Sequence, residues 1–298
     1  MNSEQATRDR VALDNFSPEA LFVIGGIAQY SGAVIAVSMF DELGAATVAW
    51  ARVIFAALVL LAVSWRHQGH WTRREVGVAA IFGVATALMN LFFYLGIERV
   101  ALGKSVVIEF IGPIAVAAAF TRTRRNSVAL LLATAGVIVL SGVEIDTEPL
   151  GLVFIFAASA MWATYIIVGR RVAALGRGVA GLGLGLAIGA IAIAPFGAPG
   201  SSALWSNPSL IAGCFAVGLL SNAVGYSIDQ HVMRRIPIRR FALLLALLPV
   251  TAMVVGLIAL DQRPSALDLV GASLVIAGVV AQERDSIEAE SAIVAAPQ

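Results

Sequence analysis

Two charged side chains lie deep inside apolar stretches, Arg52 and Glu109, whereas the other Lys, Arg, Asp and Glu residues, including Asp229, fall at the ends of such stretches or between them. A charge surrounded by apolar groups needs a partner or a wet cavity. Both lie about seven residues into their stretch, roughly 10 Å along a helix, so they could neutralise each other and fix helix packing. Alternatively, Glu109 faces a central cavity, where it binds an amine or carries a proton.

A second set of polar and aromatic residues lies within the apolar stretches. Asn90 precedes Tyr94 by four residues and Asn222 precedes Tyr226 by four, so each pair shares a helical face. An amide donates and accepts hydrogen bonds and can orient polar groups of a bound molecule, although a hydrogen bond between helices is the alternative. Aromatic rings here would stack on a bound side chain, form a gate or only pack. The candidate binding residues are Tyr30, Asn90, Tyr94, Glu109, Trp162, Tyr165, Asn222 and Tyr226.

Two prolines fall within apolar stretches, Pro113 and Pro249. Because proline lacks an N–H, Pro113 leaves the carbonyl of Glu109 without its helical hydrogen bond. That carbonyl and the Glu109 carboxylate together offer two acceptors suited to an ammonium group. We expect a kink or hinge at both prolines, which in the plainer interpretation only shapes the helix bundle.

Composition places these residues in a membrane. The chain has 298 residues, 59% hydrophobic and 13% charged, with a mean hydropathy of +0.88, whereas a soluble domain is about 45–50% apolar and about 25% charged. These values exclude a soluble enzyme, a disordered chain and a nucleic-acid binder with a basic face. Since about 20 apolar residues span a bilayer, we predict an all-α polytopic membrane protein with ten transmembrane helices, at 19–39, 45–65, 76–97, 101–120, 127–143, 151–169, 179–196, 208–230, 241–260 and 267–282.

The basic residues predict the orientation of these spans, because cytoplasmic loops collect Lys and Arg. If the N-terminus is inside, the outer segments hold only Arg99, Lys104 and Arg263 of the 20 basic residues, and nearly all the others are inside. We therefore expect an integral protein of the plasma (inner) membrane with both termini cytoplasmic. The segment 1–18 would be cytosolic, and 283–298 would be a disordered cytosolic tail.

Weak internal similarity divides the membrane region into two halves. The segment 94–100 resembles 226–232, and Pro113 corresponds to Pro249. The halves, 19–143 and 151–282, would each hold five spans, and an odd number makes the second half enter the membrane from the opposite side. Such inverted repeats are common in alternating-access transporters, with the site near the midplane between them. Chance similarity between apolar segments is the alternative.

The sequence contains no motif for a metal, a cofactor or catalysis. His67, His70 and His231 fall in predicted loops, and the single cysteine, Cys214, excludes an intrachain disulfide. Neither HExxH nor the phosphate-binding pattern GxxxxGK[ST] occurs. We therefore expect no metal site, no cofactor, no use of ATP and no enzymatic activity.

Two stretches resemble EamA-type members of the drug/metabolite transporter superfamily, and within it the threonine/homoserine-exporter branch: 89–113, MNLFFYLGIERVALGKSVVIEFIGP, and 160–170, AMWATYIIVGR. The resemblance extends over about residues 19–282. It implies ten helices in two inverted five-helix repeats and export of amino acids or related small metabolites by alternating access around a central cavity. The partners it implies are a small-molecule substrate, membrane lipid and optionally a coupling proton, without nucleic acid.

Other functions stay open at the level of sequence: a broad-specificity drug or metabolite carrier, a membrane-embedded enzyme, or a scaffold that transports nothing. A carrier of phosphate esters would need several deep cations, and only Arg52 lies deep. The pattern Gly185-x3-Gly189 allows helices to approach closely, either in a second copy or within the chain. We expect a monomer or a weak dimer.

Overall fold

The computed structural model describes residues 15–65, 69–100, 105, 108–140, 148–260 and 264–282, and their regular structure is helical throughout. Two short helices, Phe40–Leu43 and Ser202–Ser206, lie in connections. The longer helices, in chain order, are α1 (Pro18–Val37), α2 (Ala45–Ser64), α3 (Arg73–Ile97), α4 (Ile111–Ala119), α5 (Arg124–Leu140), α6 (Pro149–Ala174), α7 (Val179–Gly197), α8 (Pro208–Met233), α9 (Ile238–Val255, continuing to Leu260) and α10 (Ala266–Ala281).

Seven of these helices are long and apolar enough to cross a bilayer: α1, α2, α3, α6, α7, α8 and α9. They coincide with seven predicted spans, and the chain is an all-α polytopic membrane protein. The helices α4, α5 and α10 are shorter, with 9, 17 and 16 residues. The first part of the span predicted at 101–120 and most of the terminal segments lie outside the described residues. The count of ten spans stays a prediction.

Several helices begin where the sequence supplies a cap. At α3, the Thr72 side chain accepts a hydrogen bond from the Glu75 N–H, and the Glu75 side chain accepts one from the Thr72 N–H. Ser265 and Asp268 form the same capping box at α10. A proline in the first turn opens α1, α6 and α8, where its missing N–H would have no partner anyway. These local signals set where each helix starts and thus how deep its residues lie.

Glycines set the closest helix contacts. A Cβ atom on Gly83 of α3 would lie 1.7 Å from the carbonyl oxygen of Gly185 on α7, and one on Gly189 would lie 2.2 Å from the carbonyl oxygen of Gly83. Between α5 and α10, a Cβ atom on Gly136 would lie 2.6 Å from the carbonyl oxygen of Gly271. Such contacts exist only where no side chain intervenes. The Gly185-x3-Gly189 pattern therefore serves a contact within the chain.

From the other helix contacts we distinguish two groups of three helices, which meet where α4 packs against α9 and α6 against α8. In the first, which we call the α3–α4–α6 group, α6 packs against both α3 and α4. In the second, the α1–α8–α9 group, α1 packs against both α8 and α9. The helices α2 and α7 pack on each other and flank these groups, α2 against α8 and α7 against α3. The helices α5 and α10 form a separate pair.

The central helix α8 contains a π-helical turn. Its α-helical parts, Pro208–Val217 and Gly225–Met233, are joined by the π turn Gly218–Val224. A π turn holds more residues than an α turn and often occurs at functional sites. Residues of α8 that are spaced three or four apart therefore do not stay on one face of the helix across this turn.

The helix α9 is interrupted close to a predicted hinge. Its first part ends at Leu244 and its second begins at Leu247, two residues before Pro249. Since Pro249 has no N–H, the carbonyl of Leu245 lacks its usual helical donor and accepts from the Leu248 N–H at 2.9 Å instead. In α4, Pro113 is the third residue, so the helix begins anew just after Glu109.

Candidate functional site

Arg52 is buried where α2, α3 and α8 meet, with 7% of its surface exposed. Its Nε donates a hydrogen bond to Oδ1 of Asn222 at 2.6 Å, and its Nη1 donates to the Tyr94 hydroxyl at 2.5 Å. The guanidinium also lies 5.4 Å from the centre of the Tyr94 ring, within cation–π range. Asn222 is 0% exposed, and its Nδ2 has no hydrogen-bond partner among the described residues.

The ion pair expected between Arg52 and Glu109 is not formed. In the described part of the chain, no carboxylate oxygen lies within 4.0 Å of the Arg52 guanidinium, which bonds to Asn222 and Tyr94 instead. The reason is that the two residues have different neighbouring helices, because α4 packs mainly against α6 and α9, whereas α2 packs mainly against α7 and α8.

Glu109 lies just before α4 and is also buried, with 9% of its surface exposed. The next residue, Phe110, packs edge-on against Trp162 of α6, with ring centres 4.9 Å apart. Glu109 and Trp162 are thus brought near each other through Phe110, apart from Arg52, and among the described residues no hydrogen bond or ring contact joins Tyr30 to either of them. Within the described ranges no basic side chain is bonded to Glu109.

A line of buried polar groups continues from Asn90 toward the end of the bundle that we predict to be cytoplasmic. The Asn90 Nδ2 donates to the Tyr226 hydroxyl at 3.1 Å and to the Thr86 carbonyl at 2.7 Å. The Tyr226 ring lies 5.5 Å from the Tyr165 ring, and the Tyr165 hydroxyl donates to Oδ2 of Asp229 at 2.8 Å. The structure thus brings predicted residues of α3, α6 and α8 together.

Asp229 is a buried carboxylate that the sequence interpretation placed at a helix end, within reach of water. That interpretation was wrong, since Asp229 is only 4% exposed. The residues after it, from the end of α8 into the first part of α9, are almost all buried as well, so this end of α8 lies inside the protein rather than at its surface. The signal was present in the sequence as the apolar stretch from Phe241 onward, which continues after only a short linker.

We call two neighbouring sets of residues together the polar cluster: Arg52, Tyr94 and Asn222 form one set, and Asn90, Tyr165, Tyr226 and Asp229 form the other. Each is buried, so the cluster is closed to solvent. At the predicted outer end, the Phe40 ring packs edge-on against Tyr94 with centres 5.2 Å apart. At the predicted inner end, Arg170 donates to the Met233 carbonyl at 2.8 Å and also to the Ile236 carbonyl, which joins α6 to the end of α8.

The polar cluster combines a guanidinium, a carboxylate and neutral donors and acceptors between them. Such a set suits a small polar molecule that carries charge of both signs. Among the described residues, no group of three or more His, Cys, Asp or Glu side chains is placed to hold a metal ion.

Comparison with known proteins gives consistent matches. Residues 149–281, which comprise α6 to α10, match the EamA-like transporter family. The chain is 31% identical over 264 residues to the threonine/homoserine exporter RhtA of Escherichia coli strain K12, covering 87% of this chain and 89% of the exporter. The exporter of the same name from Salmonella typhimurium strain LT2 matches with the same identity and coverage. An uncharacterized transporter of Archaeoglobus fulgidus is 23% identical over 242 residues, covering 77% and 83%.

The fold has also been observed by crystallography. A solved crystal structure matches with a TM-score of 0.71 at 18% identity, covering 88% of this chain and 95% of that one; at this identity the match concerns the fold alone. The relatives named above are transporters rather than enzymes, and the identity to the exporters extends over most of the chain. The resemblance noted in the sequence is thereby confirmed, and the chain belongs to the EamA-like transporter family of the drug/metabolite transporter superfamily.

Proposed function

We propose that this protein is a secondary transporter that exports amino acids or related small metabolites across the plasma membrane by alternating access. The observation that carries the proposal is the 31% identity to a threonine/homoserine exporter over 87% of the chain. The polar cluster supports it, because a set of buried polar groups in a membrane bundle is costly unless it serves a pathway or a binding site.

The helix contacts support the inverted repeat that alternating access would use. If α1–α5 correspond to α6–α10, the contact of α3 with α6 corresponds to that of α8 with α1, and α4 with α6 to α9 with α1. The contact of α2 with α7 and that of α5 with α10 each correspond to themselves under the repeat. The same holds for the contact between α4, which carries Pro113, and α9, which carries Pro249. The α3–α4–α6 group and the α1–α8–α9 group are then related by the repeat.

In the proposed cycle these two groups rock against each other around the polar cluster. The bonds Asn90–Tyr226 and Tyr165–Asp229 both connect the α3–α4–α6 group to the α1–α8–α9 group. Arg170, which bonds to the Met233 carbonyl, connects them again at the inner end. Opening toward the cytoplasm would break the inner contacts first, and the substrate would then take over bonds that the cluster residues make to one another.

The proposal is tested by uptake of a panel of radiolabelled amino acids, including threonine and homoserine, into liposomes that carry the purified protein. Saturable uptake above that of protein-free liposomes is expected for at least one amino acid. Uptake is compared with and without a pH gradient, and a faster rate with the gradient would show proton coupling. If no amino acid is taken up by correctly inserted protein, the proposal is wrong, and drugs or other metabolites become the next substrates to test.

A further inference from the structure

The positive charge of Arg52 has no counter-charge beside it in the described part of the chain. Its hydrogen-bond acceptors are the amide oxygen of Asn222 and the hydroxyl of Tyr94, and the guanidinium lies near the Tyr94 ring. All three are neutral groups. A buried charge without a partner is strongly disfavoured, so the closed site lacks one negative group.

A second donor next to Arg52 is also unused. The Oδ1 atom of Asn222 accepts the bond from Arg52 Nε, and this fixes the orientation of the amide because a guanidinium can only donate. The opposite end, Nδ2, is therefore an N–H donor, and it is buried with no acceptor among the residues described. An unpaired buried donor is costly, so the site also lacks an acceptor.

We propose that Arg52 and Asn222 together bind the carboxylate group of the transported molecule. A carboxylate supplies the missing charge and two acceptor oxygens, and the planar guanidinium matches its geometry. The inference rests on the proposed function and narrows the substrate class to metabolites with a free carboxylate, such as the α-carboxylate of an amino acid. One guanidinium balances one negative charge, so a doubly charged phosphate ester fits the site poorly.

The position of this site links binding to the proposed movement. Arg52 is on α2 and Asn222 is on α8, so the bond between them joins the two predicted halves of the chain. Asn222 lies in the π turn of α8, close to Ser221, whose hydroxyl donates to the Gln29 carbonyl of α1 at 2.8 Å. A carboxylate bound by both Arg52 and Asn222 would therefore contact α2 and the α1–α8–α9 group at once.

The test measures competition for uptake in proteoliposomes. The labelled amino acid is the one that the wild type takes up best in the panel, and the competitors are the same amino acid unlabelled and its primary carboxamide. The carboxamide keeps the ammonium and the side chain but has no negative charge. We expect it to compete at least about tenfold more weakly than the acid, because the buried guanidinium would stay unbalanced.

Variants assign this preference to the two residues. Arg52→Gln should remove most of the preference for the acid over the carboxamide, whereas Arg74→Gln, which removes an exposed charge on α3, should keep it. Asn222→Asp supplies a carboxylate next to Arg52 from the protein itself. We expect it to fold, with a thermal unfolding temperature at or above that of the wild type, and yet to lose the preference for the acid.

The possible outcomes separate this inference from the proposed function. If the wild type takes up no amino acid, the proposed function fails and the inference fails with it. If the wild type takes up amino acids but the carboxamide competes as well as the acid, only the inference is overturned. Retention of the wild-type acid preference by Asn222→Asp, or by folded Arg52→Gln, would overturn it as well.

Discussion

Among the described residues, two side-chain carboxyl groups are buried inside the bundle, that of Glu109 in the first predicted half and that of Asp229, which accepts from the Tyr165 hydroxyl, in the second. The Asp229 carboxylate has a hydrogen-bond donor, whereas in the part of the chain that the structure describes the Glu109 carboxyl group has no hydrogen-bond donor and no basic side chain bonded to it. Glu109 is thus the carboxyl group more available to a cation that comes from outside the protein.

We expect Glu109→Gln to lower uptake by about tenfold or more, or to abolish the response of uptake to a pH gradient. A hydrogen bond to a charged group contributes about 1.5–3 kcal/mol, and tenfold corresponds to about 1.4 kcal/mol. The measurement is initial uptake rate in proteoliposomes at equal protein density. The matched control is Glu42→Gln, an exposed glutamate in the short helix after α1. Normal uptake with a normal response to pH would contradict a role for Glu109.

Most residues of the polar cluster could be named from the sequence, but Asp229 and the pairing of the residues could not. Polar type and depth within an apolar stretch identified Asn90, Tyr94, Asn222 and Tyr226. In the structure, Tyr94 and Asn222 bond to Arg52, and Asn90 bonds to Tyr226. Equal depth suggested that Arg52 faces Glu109, yet depth carries no information on the direction of a side chain around its helix axis. That direction depends on which helices are neighbours, and neighbours are set by contacts distant in sequence.

At the scale of helices, close approach through glycine is the feature that most constrains the bundle. The contact of Gly83 with the backbone of Gly185 and Gly189 leaves no room for a side chain between α3 and α7. Because α3 carries Asn90 and Tyr94, any displacement of α3 moves two residues of the polar cluster. Hydropathy predicted the positions of the seven long helices well, but it could not predict that α3, from the first half, packs on α6 and α7 of the second.

Gly83→Ala should therefore destabilise the protein by about 1–3 kcal/mol, as overpacking does, and should slow transport. A Cβ atom there would overlap the Gly185 carbonyl, so the two backbones must separate. The control is Gly77→Ala on the same helix, where a Cβ atom would meet nothing within 4 Å. Thermal unfolding in detergent compares the two. Equal stability of the two variants would contradict the contact between α3 and α7.

For the whole molecule, the polar cluster is buried and has a described contact at each of its two ends. Phe40 covers Tyr94 at one end, and the bonds of Arg170 to the end of α8 lie at the other. Transport by alternating access would require each cover to open in turn. The predicted orientation places the Arg170 contact on the cytoplasmic side, where a substrate for export would enter.

A cross-link across the inner cover should stop transport. In a Cys214→Ala background, Arg170→Cys and Met233→Cys place one thiol on each helix group, and a bifunctional thiol reagent joins them. We expect uptake to fall in proportion to the cross-linked fraction, while each single cysteine variant treated with the same reagent keeps its uptake. Full cross-linking with unchanged uptake would rule out rocking of the α3–α4–α6 group against the α1–α8–α9 group.

The π turn Gly218–Val224 has a consequence for how this protein can vary in length. A π turn amounts to one residue inserted into an α-helix, and α8 could accept its deletion and still form a continuous hydrogen-bond ladder. The deletion would, however, rotate Pro208–Val217 against Gly225–Met233 by about 100°, the angle that one residue occupies. Asn222 and Tyr226 could then not both keep their present directions. If Asn222 binds the substrate as proposed, we expect related chains that gain or lose one residue here to differ in substrate, although an alignment would show only a gap.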